Sequence, residues 1–198
     1  MNDTRCENRA NKVGYMWIFF SLLLAVLLSP SAHAQTGRLS AGARLDVLPL
    51  SQYSVSESGF NASSDGAFAF GASLSGEIRV VDFFKLGLDL GYFSVKADGA
   101  SSRDSMFNLG ARFTGLYPIA MSGVMTSLNP YGFLSSGYSL YIPSSGDSSH
   151  GFWIAGGAGL EMVFGSVGAF AELSYGASMF DSFKYKALDM AFGARLHF

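Results

Sequence analysis

Two histidines beyond the first few dozen residues, and a scatter of acids and bases, are what this sequence offers for chemistry. His150 follows Asp147, Ser148 and Ser149, which puts a carboxylate, two hydroxyls and an imidazole within four positions. Those are the parts of a nucleophilic hydrolase, in which the acid orients the imidazole and the imidazole takes the serine proton. Side chains crowded into a single loop rarely hold that geometry, so the expectation is a solvated loop histidine and no enzyme. His197 is expected to be a hydrogen-bonded residue at one rim of the fold. No metal-ligand spacing is visible, and the one cysteine is Cys6, so neither a metal nor another cofactor is expected.

A second set of charged residues is more telling. Arg44, Arg79, Lys85, Arg112 and Arg195 stand against Asp46, Glu77, Asp89, Glu161, Glu172 and Asp189. Each occupies a polar position in a stretch where polar and apolar residues alternate, the period of a strand with two unlike faces.

Eight such stretches are predicted, at about 38–48, 67–79, 84–96, 105–117, 130–141, 151–164, 167–179 and 185–198. In the last, Leu188, Met190, Phe192, Ala194, Leu196 and Phe198 take one face, and Asp189, Ala191, Gly193, Arg195 and His197 the other. The period of 3.6 residues would scatter these apolar residues around a helix, and Gly193 would cost such a helix roughly 1 kcal/mol. Polar segments at 51–65, 97–104, 142–150 and 181–184 read as loops, while 80–83 and 165–166 read as turns. Residues 119–129 are too apolar for an ordinary loop and are expected to extend the flanking strands toward a turn near Ser122 and Gly123. Longer loops after odd strands and shorter turns after even ones describe an all-β, eight-stranded antiparallel up-and-down meander.

Residues 1–34 carry the marks of a secretory signal. Arg5, Arg9 and Lys12 precede an apolar run from Tyr15 to Leu28, and Ala32-His33-Ala34 has the small-x-small pattern of a cleavage site. The run is about fourteen residues, short of the roughly twenty that a spanning helix needs. Gln35 follows, where a lipid-anchored chain would need Cys. Residues 35–198 hold ten Lys and Arg against thirteen Asp and Glu, a balance that argues against a nucleic-acid partner.

The final segment, Met-Ala-Phe-Gly-Ala-Arg-Leu-His-Phe, resembles the carboxy-terminal strand of bacterial outer-membrane β-barrels. Pro-Tyr-Gly-Phe at 130–133 and Gly-Phe-Trp-Ile-Ala-Gly-Gly-Ala-Gly-Leu-Glu at 151–161 are similar to the small-barrel family with OmpA- and OmpX-type members. The resemblance implies a transmembrane barrel over residues 35–198, outer-membrane lipid as its surroundings, and recognition by the barrel-assembly machinery through Phe192, Gly193, Leu196 and Phe198. Strands of ten to fourteen residues exceed the ~9–11 that cross a bilayer at a tilt. Five cations on a lipid-facing wall would cost roughly 2–4 kcal/mol each at the midplane, so the charged face is expected to point inward. An eight-stranded interior has room only for side chains, and buried charges there must pair. The expectation is a plugged lumen.

Tyr53, Tyr92, Tyr117, Tyr131, Tyr141, Tyr175 and Tyr185 are expected at the two membrane interfaces. His150 does not match the His-x-Ser arrangement of the lipid A deacylase barrels. Two function classes stay open: a structural or surface-interaction protein with an unknown surface ligand, and a narrow channel or carrier for small solutes or amphiphiles. A secreted lipocalin-type barrel is the other fold with this pattern, but its outer wall would be rich in lysine, and Lys85 is the single lysine in the predicted strand interiors.

Overall fold

Strands with one apolar and one charged face must hide one of the two, and an antiparallel meander can do so by closing on itself. The computed structural model describes residues 38–57, 60–65, 68–96 and 102–198; the leader expected over 1–34 lies outside the described residues. All the elements described are strands: β1 (Leu39–Glu57), β2 (Phe60–Asp65), β3 (Phe68–Val81), β4 (Phe84–Lys96), β5 (Asp104–Leu116), β6 (Ile119–Ala120), β7 (Ser127–Ile142), β8 (Ser149–Phe164), β9 (Val167–Phe180) and β10 (Phe183–His197).

Eight of them, β1, β3, β4, β5, β7, β8, β9 and β10, pair in that order as antiparallel neighbours, and β10 pairs back onto β1. The barrel is closed. Its seam sets Ala43 opposite Ala194 and Leu45 opposite Phe192, so outward-facing residues meet outward-facing residues across the joint. The predicted strands coincide with these eight staves to within a few residues at each end, except that β1 runs nine residues past its predicted end at 48.

One stretch departs from expectation. The segment 51–65, expected as a loop, is instead the upper half of β1 folded against β2, with Gln52 opposite Asp65 and Glu57 opposite Phe60. The sequence of this hairpin, rich in Ser, carries little hydrophobic alternation, so a period-two reading does not pick it out as strand. The bulge at Leu48-Pro49 also hides the connection. Between Val47 and Leu50 β1 has one residue more than β10, which shifts the register. Leu48 points inward at 3% exposure and Leu50 outward at 68%. Proline has no amide hydrogen for the ladder, which suits it to such an irregularity.

The segment 119–129 behaves as expected. β6 pairs with the start of β7, Ile119 opposite Leu128, and the chain turns through 121–126.

Candidate functional site

The pleat decides where every charged side chain goes. In β3, β4, β5, β8, β9 and β10 the acids and bases alternate with large apolar residues. The apolar set faces out, with Leu45 67% exposed, whereas Arg112 is 0% and Glu161 1% exposed. Among the described strand residues, outward-facing lysines are confined to the loop end: Lys96 closes β4, and Lys184 and Lys186 lie in the first four residues of β10.

Inside, the charges form two linked tiers. Toward the loop end, Arg44 reaches Asp46 at 2.8 Å, Glu172 at 3.3 Å and Asp89 at 3.7 Å. Arg112 reaches Glu172 at 2.6 Å and Asp89 at 3.3 Å. Toward the turn end, Arg195 meets Glu161 at 3.3 Å and Glu77 at 3.5 Å, and Lys85 meets Glu77 at 3.8 Å. Arg112 to Glu77, 3.4 Å, and Arg195 to Glu172, 4.0 Å, join the tiers. Nine of the eleven charged residues singled out in the sequence are thereby brought together. Arg79 and Asp189 are not: among the described residues neither has an ion pair within 4.0 Å, and Arg79 Nε and Asp189 Oδ1 have no hydrogen-bond partner.

Neutral groups complete the pairs. Tyr131 donates to Glu172 at 2.7 Å, Thr114 to Glu77 at 2.7 Å, Ser73 to Asp46 at 2.6 Å, Ser135 to Asp89 at 3.1 Å and Asn129 to Glu161 at 3.2 Å. A buried carboxylate needs several donors to offset its lost hydration, and each of these hydroxyls or amides supplies one that a second cation could supply only by adding charge. Aromatic rings cover the guanidinium faces: Arg112 lies 3.8 Å from the Phe133 centroid and Arg195 4.7 Å from that of Phe170. Sequence reasoning missed these partners. Their signal was position, since all occupy the same alternating face as the charges.

Tyr131 corrects the expected interfacial girdle. It is 6% exposed and inside the lumen, where its ring lies over Gly159; a Cβ on that glycine would sit 2.4 Å from the ring. Tyr185 is likewise buried, and Tyr141 packs against Phe180 and Phe183 while bonding to Asp104. Tyr92, Tyr117 and Tyr175 face out; the side chain of Tyr53 is outside the described set.

The histidines separate in the same way. His150 faces out on β8, bonded through Nδ1 to the Tyr138 hydroxyl, while Ser149, its predecessor in the strand, belongs to the opposite face. His197 meets Glu161 at 3.1 Å and so joins the lower tier.

In the final strand, Phe192, Leu196 and Phe198 lie exposed on the outer wall. Gly193 faces in, where a Cβ would stand 2.3 Å from the Ala43 carbonyl oxygen, 2.6 Å from the Phe170 ring and 2.8 Å from Arg44 Cβ. The glycine lets Phe170 reach Arg195 beside the seam.

No family model and no curated protein matches the chain. Among solved structures, neisserial surface protein A superposes with a TM-score of 0.55 at 16% identity, covering 83% of this chain and 100% of that one. Ail, the attachment invasion locus protein of Yersinia pestis, gives 0.47 at 15% identity over 82% and 99% of the two chains. The N-terminal β-barrel domain of Pseudomonas aeruginosa OprF gives 0.41 at 15% over 80% and 99%. With its closed ring of eight antiparallel staves, the chain shares its fold with small outer-membrane barrels such as neisserial surface protein A.

Proposed function

We propose that this chain is an integral outer-membrane barrel whose lumen is plugged by its own ion pairs, and that it serves the envelope as a structural or surface-presenting element. The carrying observation is the inverted polarity: large apolar side chains cover the wall while Arg112, Arg195, Glu77 and Glu161 are fully enclosed. A wall of this kind in water would be an apolar surface far beyond what monomeric soluble proteins tolerate, and in hydrocarbon it is the lower-energy arrangement. Closure also leaves no unpaired strand edge in the bilayer, where each such group costs several kcal/mol.

The plug follows from size and charge. At the level of the ion pairs side chains fill the space that eight staves enclose, and the guanidinium groups of Arg44, Arg112 and Arg195 cross it to acids on other strands. Outer-membrane lipid is the proposed surrounding, and the assembly machinery a proposed partner through the last strand. A catalytic role for His150 has no support, since the nearest serine in the strand belongs to the opposite face.

Reconstitution into a planar bilayer tests the proposal. The expected record is flat at moderate voltage. A steady unitary current would instead establish the narrow channel, and recovery of the protein in the soluble periplasmic fraction would overturn the membrane assignment.

A further inference from the structure

Above the ion pairs, toward the loop end, the lumen is not filled. A cavity of about 70 Å³ remains, several times the 10–15 Å³ that one water requires. Its floor and walls differ in character. Asp89, Asp189 and Arg44 face it from below, and Phe93, Trp153 and Tyr185 line it.

The upper tier is short of positive charge. Asp46, Asp89 and Glu172 share Arg44 and Arg112, Arg112 is divided with Glu77 of the lower tier, and Asp189 has no ion pair within 4.0 Å among the described residues. Asp89, 2% exposed, takes bonds from Arg112 and Ser135 on Oδ2, while its Oδ1 meets no hydrogen-bond donor among the described residues and has only Arg44 at 3.7 Å. Asp189 Oδ1 also meets none, and its carboxyl adjoins that of Asp46. A carboxylate excess under a low-dielectric cover is costly unless a proton or a positive species offsets it.

The walls say which. Among the described residues no three acidic, imidazole or thiol groups converge as a metal site requires. Aromatic faces beside carboxylates do suit an ammonium group, which takes hydrogen-bond acceptors on its N–H side and ring faces on its carbon side. We infer that the cavity between Asp89, Asp189 and Trp153 is a binding site for a small primary ammonium group. Binding there requires no ion passage, so this inference and the closed-lumen proposal fail in different experiments.

Trp153 makes the test direct, because Trp17 is the other tryptophan of the chain. With Trp17→Phe in the full chain folded in micelles, Trp153 emission is followed during titration with methylammonium chloride, against sodium chloride at matched ionic strength. The expected result is a saturable change with methylammonium and none with sodium. Asp189→Asn, which removes a charged acceptor, is expected to weaken the midpoint about tenfold or more. Calorimetric titration of the unsubstituted chain gives a second measurement that does not depend on how the variant folds. Equal responses to both salts, an unchanged midpoint in Asp189→Asn, or no saturable heat would overturn the inference.

Discussion

At the scale of single residues, the interior is decided by which carboxylates have enough donors. Glu172 takes Arg112, Arg44 and Tyr131 at once, which ties it to three other strands. Replacing it by Ala would leave two guanidinium groups under-compensated; Glu172→Ala is expected to lose about 3–5 kcal/mol of stability. Arg79, with no ion pair among the described residues, sets the contrast: Arg79→Ala is expected to cost less than about 1 kcal/mol. Urea titration of the two variants in micelles, read by heat-modifiable gel migration, checks both. The charged residues themselves were legible because charges that fall only on alternate positions leave one face to choose. Their neutral partners were not, since a tyrosine on a β-strand suits a membrane interface as well as a lumen, and only the register that lays Tyr131 across Gly159 tells them apart. Gly193 carries a similar lesson. The resemblance of the last strand marks it as part of an assembly signal, while the coordinates give it a packing role beside Ala43, Phe170 and Arg44. Gly193→Val is expected to lose about 1–3 kcal/mol by overpacking. Because the cause is steric, folding should suffer in pure detergent, with no assembly machinery present.

At the scale of elements, alternation located the eight staves but could not see where β1 continued. The loss occurs at one place. Leu48-Pro49 adds a residue to β1 against β10, and beyond it the outward positions switch from odd to even numbers, so a period-two reading breaks there. Past the bulge, both faces of the hairpin with β2 are polar enough to mimic a loop. If the bulge is a single-residue insertion and nothing more, removing it should restore a regular ladder. Deleting Pro49 would place Leu48 opposite Asp189 and Leu50 opposite Leu188 without inverting either side chain. Stability is therefore expected to stay within about 1 kcal/mol of the parent, because one strand irregularity is lost and no side chain changes face. Deleting Val47 instead would put Leu48 on the outer wall and carry Pro49 inward, and is expected to abolish the compact, heat-modifiable form. The pair of deletions, compared on one gel, separates a tolerated bulge from a fixed register.

At the scale of the whole molecule, the closed fold and the proposed membrane setting are distinct claims, because a barrel with the same pattern could be turned inside out for water. The outer wall discriminates between them. Leu90 lies at the middle of β4 on that wall, and Tyr117 stands beyond the end of β5 on the turn side. If hydrocarbon surrounds the barrel, the cost of a charge must depend on depth, falling from roughly 2–4 kcal/mol at the midplane to about 0–1 near the interface. Leu90→Arg should then be strongly destabilising when unfolding is measured from lipid vesicles, and Tyr117→Arg nearly neutral. Were the wall in contact with water, both substitutions would be surface changes of about 0.5 kcal/mol or less. Equal and small effects in vesicles would defeat the membrane assignment while leaving the ring of eight strands intact. A depth-graded pair would tie the apolar wall to its solvent, and with it the reason that eleven charged residues were kept for the inside.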